Sequence, residues 1–314
     1  MKILYIALAL LAAHTPGDSL AVMFWNLENF FDWRNDSTSV SDAEFSSRGA
    51  RHWTRRRFQT KCNSIAKSIM WVSTQGGMLP DVIGLAEVEN AFVLRRLLQN
   101  TALEKLDYEA VHFDSPDRRG IDVALLYRTS RLSLTSARPV HLFADTVMLQ
   151  TRDILLATFR DGGGGSLAVL VNHHPSKYGG VALSESRRRI AVETLKLLTD
   201  SLLHSGMERV IAIGDFNDTP ENPLYRTMGP GMINLSLPLH LAGEGSIRYG
   251  GEWELIDLCF ASGAVAEAST LKILYIPFLM VPDRAHGGVK PLRTYSGPRY
   301  LGGVSDHCPI ILTF

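Results

Sequence analysis

The stretch ILLATFRDGGGGSLAVLVNHH, residues 154–174, decides the fold class. Two apolar runs, Ile154 to Phe159 and Leu167 to Val171, flank Asp161 to Ser166 and its four consecutive glycines. Short apolar runs separated by turn residues read as paired strands, so this segment is a β-hairpin. A glycine-rich loop can also cradle a nucleotide phosphate, but that use needs a specific Lys and helix context which is missing here. Antiparallel pairing therefore sits in the middle of the chain, and the second strand ends in the polar run Asn172-His173-His174.

Outward from the hairpin, strands alternate with helices. Toward the N-terminus, Leu20 to Asn26 reads as a strand and Trp53 to Val72 as a helix with Phe58, Cys62, Ile65 and Ile69 on one stripe. Asp81 to Ala86 is a buried strand ending at Glu87-Val88-Glu89-Asn90, Ala91 to Leu106 is helical, and Ile121 to Tyr127 is again a strand. Toward the C-terminus, Ser184 to Leu203 is an amphipathic helix with Ala191, Leu195, Leu198 and Leu202 on its apolar face. Strands are expected at Arg209 to Gly214, Glu254 to Phe260 and Asp306 to Phe314. No repeat or linker interrupts the pattern, so it predicts one domain over 20–314, a mixed sheet packed between helices.

Composition narrows the class further. Lys plus Arg equals Asp plus Glu at 32 each, which argues against a globally basic nucleic-acid-binding surface while leaving room for a local positive cleft. Met1 and Lys2 precede an apolar run from Ile3 to Ala13 that breaks at His14, Pro16 and Gly17. Such a run is too short to span a membrane and reads as a secretory signal over 1–19, so the chain is expected to be exported, to a periplasm or the outside. The three cysteines, Cys62, Cys259 and Cys308, cannot form a full disulfide framework and are expected to be buried free thiols.

The polar residues fall at strand ends. Asn26, Glu87, Asn172-His173-His174, Asp215 with Asn217, and Ser305-Asp306-His307 each terminate or border an apolar run, where a rigid strand can present them to one rim. Carboxylates and Asn carbonyls, with no Cys among them, describe a hard oxygen site for Mg²⁺ foremost, with Mn²⁺ and Ca²⁺ as alternatives, and for one or two ions. A zinc site on His173 and His174 is weaker, because neighbours on a strand point to opposite faces. His307 is the best general base, oriented by Asp257 or Asp306, and the nucleophile is then water.

These residues lie in motifs that together resemble the endonuclease/exonuclease/phosphatase superfamily, with its pancreatic-deoxyribonuclease-like fold. The motifs are WNLEN at 25–29, AEVEN at 86–90, RRGIDVALLYR at 118–128, NHHPSK at 172–177, GDFND at 214–218, LIDL at 255–258 and SDHCPI at 305–310. NHHPSKYGG and GPRYLGGVSDH are similar to a compact extracellular bacterial branch. The resemblance implies a four-layer α/β sandwich, two mixed and mainly antiparallel sheets face to face with helices on both outer sides. It implies that Glu87, Asn26, Asp306 and Asp215 hold metal. It also implies that His307 pairs with Asp257, that Asp215 or His307 activates water, and that Asn217 and His173 contact the scissile phosphate. Arg119, His174, Ser176, Lys177, Arg293 and Tyr300 are candidate phosphate or substrate contacts. Glu89 stands where some relatives carry Arg, which departs from a deoxyribonuclease-like contact to DNA.

The expected activity is metal-dependent hydrolysis of phosphodiesters, with nuclease action on DNA or RNA ranked first. A small phosphoester or lipid-headgroup hydrolase ranks second and a non-catalytic binding module last. Phe30 to Arg57 interleaves Trp33 and Trp53 with Arg34, Arg48, Arg51 and Arg55 to Arg57, which could stack bases and meet phosphates. Tyr275 to Val304 supplies a pocket wall. No stable membrane insertion is expected, and the chain is expected to be a monomer.

Overall fold

The computed structural model describes residues 19–35, 39–76, 78–176 and 181–314; residues 1–18 of the expected signal segment and Lys177 lie outside the described residues. Twelve strands build two sheets. In chain order they are β1 Ala21–Phe30, β2 Val82–Val88, β3 Tyr108–His112, β4 Asp122–Arg128, β5 Leu132–Val140, β6 Ile154–Asp161, β7 Ser166–His173, β8 Arg209–Asp215, β9 Met232–Asn234, β10 Asp257–Ser262, β11 Thr270–Ile273 and β12 Ile310–Thr313. The first sheet runs β11-β12-β1-β2-β4-β3 and the second β9-β10-β8-β7-β6-β5. Each is antiparallel except for one central parallel pair, β1 with β2 and β7 with β8. This is the mixed, mainly antiparallel sandwich that the motifs imply, and no helix among the described residues is long and apolar enough to cross a membrane.

The alternation of side chains along each strand sets the layers. Val22 and Phe24 of β1 join the core shared with the second sheet, while Met23 and Trp25 join a separate core under the helices. That outer core is closed by helix α1, Arg55–Gly76, through Phe58, Cys62, Ile65 and Ile69, and by α2, Ala91–Gln99, through Val93, Leu94 and Leu97. On the other side α3, Val181–His204, lays Ala191 and Leu195 on the second sheet. Helices thus cover both outer faces. At Gly84 of β2 an added Cβ would stand 3.1 Å from Val171 of the facing sheet and 3.2 Å from Phe24 of the neighbouring strand. All three cysteines are buried and free.

Three expected elements differ in extent. The helix expected over 91–106 stops at Gln99, because Thr101 caps a separate 3₁₀ turn, Ala102–Lys105, by accepting from the Leu103 amide. The strand expected over 254–260 is broken before Asp257, where Ser246 Oγ accepts from the Ile256 and Asp257 amides. The last strand begins at Ile310 and not at Asp306, since Pro309 has no N–H for a ladder and residues 305–308 are held by other contacts.

Two parallel pairs have a functional consequence. In each pair both C-termini emerge at the same end of the sheet, so β1 and β2 deliver Asn26 and Glu87 together, and β7 and β8 deliver His173 and Asp215 together. Asp257, opposite Asp215 in the antiparallel register, starts at that same end.

Candidate active site

The rim is built from irregular backbone. Between the pairs Asn26–Ala86 and Phe30–Val88, β1 advances farther than β2, and between Ala86 and Val88 strand β2 has an extra residue against β4. Glu87 is that extra residue. Its φ is 59°, beside Glu28 at 48° and Asn29 at 55°, and Asn217 at 51° lies just beyond β8. Left-handed backbone is costly for residues with a Cβ and gathers where function holds it. Here the bulge turns the Glu87 carboxylate out of the ladder, and the Asn29 amide donates to its Oε2 at 2.7 Å.

At the centre stands a buried triad of titratable groups. His307 Nδ1 lies 2.7 Å from Asp257 Oδ2, and its Nε2 lies 3.9 Å from Asp215 Oδ2. Asn26 Nδ2 donates to Asp215 Oδ2 at 3.0 Å, the Asn217 amide donates to Asp215 Oδ1 at 2.9 Å, and His173 Nε2 lies 3.6 Å from Asp215. The two sheets are therefore joined through Asn26 and Asp215. The His307 loop is fixed from several sides: Trp25 Nε1 donates to the His307 carbonyl, Ser305 Oγ accepts from the His307 amide, and Ser305 Oγ donates to the Asn26 carbonyl.

Burial and charge separate these groups. Burial opposes a charged ring at His307, yet the adjacent Asp257 carboxylate, its hydrogen bond and Asp215 raise the affinity for a proton well above the usual histidine range. Asp215 is pushed up to about 7 by burial and by repulsion from Asp257, against the attraction of His307. His173 moves the other way, well below the usual range, through burial and the nearby positive charges of Arg152 and Arg119. At neutral pH His173 is thus a neutral imidazole, and its buried Nδ1 has no hydrogen-bond partner.

Acidic residues continue along the rim. Arg293 Nη2 bridges Glu28 Oε1 at 2.8 Å and Asp306 Oδ2 at 3.0 Å, and Arg119 Nη2 sits 2.9 Å from Asn29 Oδ1 and 3.6 Å from Glu87 Oε2. Burial, then the Asp306 charge, push the Glu28 carboxyl up to about 7. Such a rim has more negative charge than its arginines relieve and offers only oxygen donors from Glu87, Asp306 and Asn26, so a hard divalent cation fits it. Asp215, Asp257 and His307 also place ligand atoms within 4.8 Å of one another.

The remaining expected contacts are placed as follows. His174 is buried with its ring 4.4 Å from that of Phe216, and Asn217 Nδ2 donates to its carbonyl. Tyr300 packs edge-on against Trp53 and Tyr295 beneath the Arg57 guanidinium, and Ser176 is half-buried just past β7. Trp53 is fully buried and Trp33 packs on Phe58 and Phe92, so neither is the free stacking platform expected of residues 30–57. Two groups escaped the sequence reading. Glu28 lies inside WNLEN, and Lys61 interrupts the apolar stripe of α1; a lysine at such a position was the available signal. Lys61 Nζ donates to the Glu28 carbonyl and to Thr294 Oγ1, and burial lowers it to about 8.

Comparison with known proteins gives the family and the fold. The family model described as "Endonuclease/Exonuclease/phosphatase family" matches residues 21–314. No curated protein matches the sequence. Among solved structures, the human Nocturnin catalytic domain with bound sulfate is 17% identical with a TM-score of 0.59, covering 94% of this chain and 93% of that one. A truncated Caenorhabditis elegans TDP2 is 15% identical with a TM-score of 0.62, covering 95% and 98%. The mannosyl-6-phosphatase of Bacteroides thetaiotaomicron is 14% identical with a TM-score of 0.58, covering 93% and 98%. At these identities the likeness is one of fold.

Proposed function

The chain belongs to the endonuclease/exonuclease/phosphatase family, and from that premise we propose that it hydrolyses phosphodiesters of a nucleic-acid strand with an activated water. The observation that carries this reading is the buried His307–Asp257 pair, 2.7 Å apart and set against Asp215 at 3.9 Å. Asp257 fixes the ring so that Nε2 faces Asp215, and a carboxyl poised near neutrality can take a proton from water while the imidazolium supplies charge or a proton to the departing oxygen. His173, held neutral, donates one N–H to a phosphate oxygen, and Asn217 orients the same group. Arg119 and Arg293 flank the phosphate.

Glu87, Asn26 and Asp306, with Asp215, are the residues that would hold a divalent cation, Mg²⁺ foremost. When bound it would neutralise the phosphate and favour the departure of an alkoxide. Asn26 Oδ1 accepts one hydrogen bond, from the Glu28 amide at 2.9 Å, and a carbonyl oxygen has a second lone pair for this purpose.

The choice of a polymer is supported by exposed cations directly beyond the catalytic end of β1. Arg55 and Arg95 crowd a Trp33–Phe92 ledge, over which Arg34, ion-paired with Asp32, also lies 3.9 Å from the Phe92 ring. A specific observation favours a second reading, a small or lipid-headgroup phosphoester: Trp53, Tyr295 and Tyr300 pack against one another in tilted and edge-on contacts, which engages those aromatics with each other and not with bases. The similarity of NHHPSKYGG to an extracellular bacterial branch supports export with either substrate.

The test is to strip the purified protein with chelator and restore Mg²⁺, Mn²⁺ or Ca²⁺ over plasmid DNA, structured RNA, bis-p-nitrophenyl phosphate and p-nitrophenyl phosphate. Glu87→Gln and His307→Ala are the controls. Metal-restored cutting of DNA or RNA, lost in both variants, is expected. Intact nucleic acids beside a cleaved small ester would move the assignment to the second reading, and no hydrolysis of any ester would end both.

A further inference from the structure

Lys61 stands where the pattern of α1 calls for an apolar residue. Phe58, Cys62 and Ile65 form a buried stripe on that helix, and Lys61 shares it, three positions after Phe58 and only 1% exposed. An ammonium taken out of water is costly unless its hydrogen bonds are met. Packing alone gives no reason for a lysine on this stripe, and its contacts supply one.

Those contacts join two sides of the acidic rim. Lys61 Nζ donates to the Glu28 carbonyl at 2.6 Å and to Thr294 Oγ1 at 2.8 Å. On the first side, Glu28 and Asn29 form the left-handed turn within β1. The Glu28 amide donates to Asn26 Oδ1 at 2.9 Å and the Asn29 amide to Glu87 Oε2 at 2.7 Å, so this turn orients two of the rim's ligands. On the second side, Thr294 Oγ1 donates to the Val304 carbonyl at 2.9 Å, two residues before Asp306. The Thr294 amide donates to Glu28 Oε2 at 3.0 Å, and Arg293 joins Glu28 to Asp306. The Arg293 side chain is half-exposed and its ion pairs are screened by water, whereas Lys61 makes its contacts in the dry interior.

We infer that Lys61 is a positioning residue for the divalent cation. It touches neither the ion nor the substrate; it clasps the Glu28–Asn29 turn to the 292–304 segment so that Asn26, Glu87 and Asp306 keep the spacing of one coordination sphere. The inference rests on the reading of that rim as the metal site. Carboxylate ligands repel one another until an ion arrives, and a fixed layer of contacts behind them keeps them converged.

Metal-stripped full-length protein is titrated with Mn²⁺ against a chromophoric chelator, and urea midpoints are recorded without metal. The wild type is compared with Glu87→Gln, Lys61→Met, Thr294→Val and Ile65→Ala. Methionine keeps an unbranched stem without the donors, and valine keeps the shape of threonine without its hydroxyl. Ile65 is buried on the same helix and outside the clasp, so its variant lowers stability alone. The expected result is Glu87-dependent uptake that weakens about 10–100-fold in Lys61→Met, weakens by less in Thr294→Val, and is retained in Ile65→Ala. The Mn²⁺ concentration for half-maximal hydrolysis should rise by the same factor in Lys61→Met, with the substrate KM at saturating metal unchanged. Wild-type affinity in Lys61→Met, or in Thr294→Val if the former does not fold, overturns the inference, as does an equal loss in Ile65→Ala at a matched urea midpoint. Either result, beside Glu87-dependent uptake in the wild type, leaves the metal site and the phosphodiesterase reading standing; a wild type without such uptake ends the metal reading and this inference with it.

Discussion

Asp257 offers no atom to the cleft that His307 does not already shield: it is 1% exposed, and its contact is the histidine ring. Its contribution is to hold one tautomer and one ring orientation, a role Asn cannot fill because its amide presents a donor as well as an acceptor. Asp257→Asn is expected to lower kcat by about 10²–10⁴-fold with KM little changed, read by steady-state kinetics on the substrate identified above, with near-unchanged circular dichroism. A loss confined to KM would mean that the pair binds substrate and does not move protons. His307, Asn26 and Asp215 were legible as types from sequence because each stood at the end of an apolar run, while Asp257 lay inside the strand expected over 254–260. Their partners were not, since His307 and Asp257 are 50 positions apart and Asn26 and Asp215 are 189 apart.

At the scale of the element, the hairpin at 154–174 and the apolar stripe of α1 came directly from periodicity, because side-chain burial repeats with the backbone period whatever the element packs on. Gly84 shows what periodicity omits. Within the apolar run of β2 it reads as one more small residue, yet it packs against Val171 of the facing sheet and Phe24 of the neighbouring strand, both fully buried. Gly84→Ala is expected to destabilise the fold by about 1–3 kcal/mol, since the neighbours have little room to yield. Urea unfolding measures it; an unchanged or raised midpoint would show that the sandwich relaxes there. Lys61 belongs to the same lesson. The helix was evident, and the reason for a lysine on its buried side was the Glu28 carbonyl and Thr294 of distant segments.

Across the whole molecule, buried histidines couple folding to pH. His174 is lowered to about 3 by burial and by the charges of Arg152 and Arg188, against 6.5 for the ordinary group. Between those values the unfolded chain holds a proton that the folded chain does not, so this group's contribution to stability falls as pH drops from 6.5 toward 3, by up to about 1.4 kcal/mol per pH unit. Asp215 and Glu28, pushed up to about 7, act in the opposite sense. The informative quantity is therefore the difference between wild type and His174→Gln: urea midpoints from pH 7 to pH 4 should lose less with acid in the variant, and parallel curves would show that His174 protonates within the fold. The sequence by itself determined which segments are strands and helices, which polar residues end them, and the oxygen-rich chemistry they offer, because those depend on local period and residue type. Only the tertiary structure decided that two parallel pairs send their ends to one rim, that a left-handed bulge turns Glu87 outward, and that Trp53 is buried and not a platform. Those outcomes depend on pairings across long stretches of chain, and no local pattern encodes which distant strand a run of apolar residues will meet.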